Sequence, residues 1–512
     1  MAEQPGAGTP YVNPWIVAIA VMFSTFMEVL DTTVVNVSLE HIAGDLSSTI
    51  DEATWALTSY LVANAIVLPI TGWLASYFGR KRLLMMSIMG FTAASFLCGF
   101  APSLGFLVVC RIIQGAAGGC LQPLSQAILL EAFPPDQRGK AMGFWGLGIV
   151  VAPVLGPVLG GWLTDSYSWR WVFYINIPVG IASLVMAKMF VFDPAYLKRA
   201  KTRIDYWGIG FLAIWIGALQ IALDKGEQDD WFSSRFIVAL MAVAIIFFVV
   251  FIIREFMAEH PVVDLRVFKQ RTYAAGVVLM TVVGFVLYGS LVLLPVWIQT
   301  LLGYPALAAG IALAPRGMGS MLGMPLIGAL MPKTDPRRFL AAGLCIGAAT
   351  LWQFSMLSLD TGYWNLFWPQ FIQGFSLALL FVPLTTITMS AIAREKMGNA
   401  TSIFNLTRNM GGSIGIAMVQ TVQARFTQKH IHYLAAHVTP FDPQATQLLD
   451  RMTPQMGQRG ALASVFRMVQ AQAAMLSFVD VFRLLALMFL AMLPLLLIMK
   501  RPQRGAAAEI SH

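Results

Sequence analysis

Apolar runs of roughly twenty residues recur along the whole chain, separated by short polar connections. They fall at 14–37, 52–75, 83–101, 104–132, 140–164, 174–192, 206–223, 235–253, 273–300, 305–331, 338–358, 365–392, 400–423 and 479–499. A membrane-spanning helix needs about 20 mostly apolar residues, and a helix satisfies all its backbone groups internally where no water can do so. The pattern therefore predicts an all-α polytopic membrane protein of about fourteen transmembrane helices. An even number puts both termini on one side. Arg80, Lys81, Arg82, Arg138, Lys140, the group from Lys198 to Arg203, Arg266, Lys269, Arg271, Lys333, Arg337, Arg338, Arg394, Lys396, Lys500, Arg501 and Arg504 all fall on that side. The opposite connections hold few cations, and Asp224–Trp231 is acidic on balance. By the positive-inside rule the shared side is cytoplasmic.

The chain also repeats itself. Pro69-Ile-Thr-Gly72 returns as Pro325-Leu-Ile-Gly328 at an offset of 256, and Ile112-Ile-Gln114-Gly115 as Phe371-Ile-Gln373-Gly374 at 259. Pro123-Leu-Ser125 matches Pro383-Leu-Thr385 at 260, and Gly139-Lys-Ala141 matches Gly398-Asn-Ala400 at 259. Four matches in one order at a nearly constant offset predict two parallel halves with a midplane cavity between them. Residues 1–192 form the first six-helix half, and 193–271 two inserted helices with their linkers. Residues 272–500 form the second half, including an extramembrane loop at 425–478, and 501–512 a cytoplasmic tail.

Composition agrees. The 512 residues are 57% hydrophobic and 12% charged, with mean hydropathy +0.70, whereas soluble domains carry about 25% charged residues. The net charge of +8 follows from the loop cations and does not indicate nucleic-acid binding. Cys98, Cys110, Cys120 and Cys345 lie in apolar spans without ligand-like spacing and read as packing residues. The first apolar run is too long for a signal peptide and reads as the first spanning helix. No paired nucleophile and base, metal cluster or phosphate loop stands out, so an enzyme is not expected. Transport would be driven by an ion gradient, with no cofactor.

Charges inside the spans mark the chemistry. Glu28 and Asp31 sit near the middle of the first apolar run, three residues apart on one helix face. A charge at mid-bilayer costs roughly 2.5–3.5 kcal/mol and usually marks an ion or substrate path. Two neighbouring buried carboxylates suit the uptake and release of a proton. Arg111, inside the fourth span, needs a buried carboxylate partner, and Asp31 or Glu28 would serve. Arg316 and Arg408 are further cations within spans of the second half; each either meets an anionic substrate group or pairs structurally. Thr32, Asn36, Gln114, Gln373, Asn405 and Arg408 are candidates for lining the cavity, with interhelical hydrogen bonding the alternative for the amides. Gly72 and Gly79 permit a tight turn before the cations Arg80 and Arg82, and Gly156, Pro157, Gly160 and Gly161 suit a helix that packs closely and bends.

Several of these segments resemble signatures of the major facilitator superfamily. Gly72 to Arg82 (GWLASYFGRKR) resembles its loop motif, with Ser76 at the usual aspartate position. Arg111 to Gly115 resembles its fourth-helix motif, in which the arginine is linked to proton transfer. Gly156-Pro157-x-x-Gly160-Gly161 is similar to the antiporter motif of exporters. Leu30-Asp31-Thr32 to Asn36, with Trp55-x-x-Thr58, Trp169-Arg170-Trp171, Asn176-Ile-Pro178 and Asn405 to Gly412, is similar to the fourteen-helix drug:proton antiporters, nearest the EmrB-type multidrug exporters. The resemblance implies an inner-membrane pump exchanging protons for lipophilic small molecules. It also implies a periplasmic membrane-fusion adaptor and an outer-membrane channel as partners, with loop 425–478 as the adaptor contact. Competing readings are a narrow exporter of one metabolite, fatty acid or siderophore, and a non-transporting membrane sensor or scaffold.

Overall fold

The computed structural model describes residues 13–193, 205–259, 261–390, 392–439 and 441–499. Long helices occupy all fourteen predicted intervals. They are α1 Pro14–Val37, α2 Trp55–Phe78, α3 Arg80–Gly99, α4 Leu104–Ala132, α5 Arg138–Ser166, α6 Asn176–Phe190 and α7 Tyr206–Lys225. After these come α8 Arg235–Met257, α9 Arg271–Thr300, α10 Ala306–Leu330, α11 Pro336–Phe354, α12 Tyr363–Ser390, α13 Met397–Ala435 and α14 Pro443–Ala491. Among the described residues ten are apolar and long enough to cross a membrane, or eleven with the two segments of α5 joined. The other three, α10, α11 and α13, carry Arg316, the Arg337-Arg338 pair and Arg408, which lower their hydropathy. The cations at Lys198–Arg203 and the tail 501–512 lie outside the described residues.

The two halves share one packing scheme. In the first, α1 packs on α5, α2 on α4, and α3 on α4 and α6; in the second, α9 packs on α13, α10 on α12, and α11 on α12 and α14. The inserted helices α7 and α8 pair with each other, and α7 leans on α2.

Helix boundaries follow local chemistry. Thr49 and Glu52 form a reciprocal capping box before α2. Gly79, at φ +88°, ends α2 and starts α3, a conformation that side chains with a Cβ rarely adopt. Beside it, Lys81 Nζ donates to the Lys188 carbonyl at 2.7 Å, in the last turn of α6. Arg80 is buried against Glu131 at the end of α4, and Arg82 is exposed. α5 bends by 41° between Pro153 and Val158, as prolines in a helix dictate; the side chain of Pro157 lies outside the described residues.

The segment 425–478, expected as an extramembrane loop with a helical second half, is largely helical in its first part as well. α13 continues to Ala435 and α14 starts at Pro443, leaving a short connection. At 39 residues, α13 is about 58 Å long, well beyond the ~30 Å of a bilayer core. Its lower part supplies bundle contacts and its upper part projects beyond them. α14 is interrupted at Gly457, with φ +72°. Of the four cysteines, Cys98, Cys110 and Cys120 are buried, whereas Cys345 is exposed on α11.

The repeated motifs meet across the interface between the halves. A Cβ on Gly72 of α2 would lie 2.6 Å from the Asn399 backbone of α13, and one on Gly328 of α10 would lie 2.8 Å from the Gly139 carbonyl of α5. Gly72 and Gly328 are repeat partners, as are Gly139 and Gly398, so two crossed, equivalent backbone contacts join the halves at their basic ends. Gly143 and Gly146 extend the α5 seam onto Met324 of α10. Gly72→Val is expected to lower stability by about 1–3 kcal/mol through overpacking. It should also speed labelling of a cysteine at position 398 by a membrane-impermeant maleimide. Gly310→Val, with nothing within 4 Å, should change neither reading.

Candidate functional site

α1 organises the site because its polar residues point to different neighbours at successive turns. Asp31 and Arg111 are both fully buried, and Arg111 Nη1 donates to Asp31 Oδ2 at 2.5 Å. Two amides complete the carboxylate's shell: Gln114 Nε2 at 2.9 Å and Asn176 Nδ2 at 2.7 Å, both to Oδ1. The guanidinium donates further to the Ala56 carbonyl at 2.9 Å and to Gln114 Oε1 at 2.8 Å. The Tyr60 ring lies 4.1 Å from its carbon, a cation–π contact. α4 can approach α2 this closely because Gly115 sits on the Tyr60 carbonyl, where a Cβ would come within 2.3 Å.

Glu28 builds a second cluster with its own partners. It accepts from Asn64 Nδ2 at 3.1 Å and from Gln122 Nε2. The Gln122 carbonyl oxygen accepts in turn from Arg408 of α13. A chain of side-chain contacts thus runs from α1 through α4 into the other half. Beside it Asn405 Nδ2 donates to Gln126 Oε1 at 2.6 Å, and Thr401 Oγ1 to the Pro123 carbonyl at 3.2 Å. Although Glu28 and Asp31 are three residues apart, Asp31 is held by α4 and α6, and Glu28 by α2 and α4.

The remaining sequence candidates separate by position. Gln114 and Arg408 belong to the two buried clusters, and Asn405 to the seam between the halves. Gln373 is buried on α12, Thr32 is half-buried and bonded to the Val29 carbonyl at 2.7 Å, and Asn36 is exposed at the far end of α1. Gly156 and Gly160 press α5 onto α1, where added Cβ atoms would lie 2.1 Å from Thr33 and 2.8 Å from Val34; Gly161 is less confined, at 3.9 Å from Val37. Arg316 donates to Ser290 Oγ at 3.1 Å. His430 pairs with Asp480 at 2.9 Å where α13 and α14 run together.

Sequence reasoning did not assign Asn64, Gln122 or Asn176 to the site, and it quoted Asn176 only as part of a family signature. Buried amides inside spans were the available signal, since each needs a partner there. Trp169-Arg170, also quoted for resemblance, clamps the end of the short helix Leu39–Asp45 that follows α1. Trp169 Nε1 and Arg170 Nη1 both donate to Asp45, at 2.8 and 3.0 Å. The Trp169 bond, then Arg170, holds the Asp45 carboxyl below its usual range.

A bundle of long apolar helices in two similarly packed halves, with a charge pair fully buried in the first, has the architecture of a membrane transporter. The Major Facilitator Superfamily model matches residues 21–416, and the chain belongs to that family. It is 38% identical over 489 residues to the multidrug export protein EmrB of Escherichia coli (strain K12), covering 95% of each chain. It is 37% identical over 488 residues to the fatty acid resistance protein FarB of Neisseria gonorrhoeae, covering 95% of this chain and 96% of that one. Among solved structures, the human organic anion transporter MFSD10 shares the fold at TM-score 0.60 and 13% identity, over 94% of this chain and all of that one.

Removing one member of the buried pair strands the other. Asp31→Asn is expected to destabilise the protein by about 3–5 kcal/mol, read as a lower midpoint in thermal unfolding. The double variant Asp31→Asn/Arg111→Gln should recover most of that loss.

Proposed function

We propose that the protein is a proton-coupled antiporter that exports hydrophobic and amphipathic compounds across the inner membrane, with both termini in the cytoplasm. The observation carrying this reading is the fully buried Asp31–Arg111 pair, which a scaffold does not need. The kinship with multidrug export proteins supports the substrate class. With the basic ends cytoplasmic, the Gly72–Asn399 and Gly328–Gly139 contacts hold the halves together on the cytoplasmic side.

In the proposed cycle a proton from outside neutralises Asp31. Its bond to Arg111 loses the ionic component, and Arg111 keeps Gln114, the Ala56 carbonyl and the Tyr60 ring. Glu28 is the second proton acceptor, and its neutralisation weakens the Gln122–Arg408 link that ties the halves together. Both changes favour separation of the cytoplasmic ends. Substrate entering from the inside then favours the deprotonated form, so proton and substrate stabilise opposite states and exchange becomes coupled. The projecting ends of α13 and α14 serve as the docking site for a periplasmic adaptor leading to an outer-membrane channel. A narrow exporter of a single lipophilic acid is the second reading, favoured by the 37% identity to a fatty acid resistance protein.

The decisive experiment is dye export by reconstituted protein under an imposed pH gradient. Wild type is expected to export several unrelated lipophilic dyes. Asp31→Asn should bind dye but export it no faster than protein-free vesicles, and Glu28→Gln should slow export. Gradient-driven export that survives Asp31→Asn, Glu28→Gln and Arg111→Ala would rule out this proton site. If a single compound class moves, the narrow exporter is correct.

A further inference from the structure

The second half contains a buried cation, Arg316, that no carboxylate neutralises among the described residues. Arg80 meets Glu131, Arg111 meets Asp31, and Arg408 reaches Glu28 through Gln122. Arg316, on α10, is 6% exposed and has one side-chain hydrogen bond, from Nη2 to the hydroxyl of Ser290 on α9 at 3.1 Å. Helices α9 to α12 contain no Asp or Glu at all, and among the described residues no ion pair involves Arg316. An isolated cation in a bilayer-spanning bundle is costly.

The repeat sharpens the contrast. Gly374 sits on the Arg316 carbonyl just as Gly115 sits on that of Tyr60, with added Cβ atoms at 1.9 and 2.3 Å. Arg316 therefore takes the place that Tyr60 holds in the first half. By the 259-residue offset, Gln370 takes the place of Arg111, and Gln373 that of Gln114. In the first half this locus holds a closed carboxylate–guanidinium pair. In the second, the guanidinium has moved to the neighbouring helix and the carboxylate is missing. Gln370, fully buried, has no hydrogen-bond partner for either side-chain polar atom, and Gln373, 3% exposed, has none for Oε1. Gln370 lies one turn before Gly374, on the face of α12 that meets Arg316.

We propose that Arg316, with Gln370 beside it, is an anion subsite that takes the carboxylate of a lipophilic acid. The guanidinium supplies a fixed charge and paired donors, the amide of Gln370 supplies another donor, and the apolar helices around them accept the tail. This deepens the export reading and relies on it only for calling the ligand a substrate.

The test is calorimetric titration of full-length protein in phosphatidylcholine nanodiscs with decanoate and with decan-1-ol, which share a tail and differ in charge. Wild type should prefer decanoate. Arg316→Gln should weaken decanoate about 10- to 100-fold, the range of a charge-assisted hydrogen bond, and leave decanol within about threefold. Equal weakening of both ligands, or no preference in wild type, would overturn the subsite. Should Arg316→Gln not fold, Arg316→Lys and Ser290→Ala decide: both keep the cation and should keep the preference for decanoate, whose loss in both refutes the assignment. Export of a cationic dye by wild type under a pH gradient is measured in parallel. Failure there removes the export reading and leaves the anion site to the binding data.

Discussion

A guanidinium held between helices that face lipid has no water to turn to, so the protein around it must supply an answering charge or a full set of acceptors. Arg111 has both. The carboxylate of Asp31, the amide of Gln114, a backbone carbonyl and an aromatic face surround it, and their positions dictate how α1, α2, α4 and α6 pack. α4 needs Gly115 to come close enough to α2, and α6 needs Asn176 to reach Asp31. The pair is therefore a structural keystone of the first half.

The second carboxylate of α1 behaves differently because its contacts cross the interface. Glu28 reaches the other half through Gln122 and Arg408. A change of charge at Glu28 is felt where the halves meet, whereas a change at Asp31 is felt within one half. The seam below is built from glycines whose missing side chains let backbones touch. Side chains fill the seam where the glycines leave room: Met324 and Met331 pack on Gly146 and Gly139, and Trp145 stacks on Phe381.

Much of this was legible in the chain. The apolar intervals set the number and place of the helices, since length and hydropathy leave few alternatives in a bilayer. The repeat disclosed two similarly packed halves, and the cost of burying Glu28, Asp31 and Arg111 marked them as residues that need buried partners before any contact was known. The segment after residue 425 was legible as extramembrane with a helical second half; the continuation of α13 to Ala435 and its pairing with α14 were not, because polar helices lack the apolar signal of a span.

Sequence by itself determined the class of structure, the two-half plan and the identity of the charged residues, because each follows from composition or periodicity along one dimension. Tertiary structure decided the partners. It assigned Arg111 to Asp31 and linked Glu28 to the opposite half. It brought the repeated glycines into contact crosswise, and it left Arg316 with a lone hydroxyl. Those outcomes depend on which helix faces point at one another and how closely backbones approach, quantities that three-dimensional packing fixes and residue order does not.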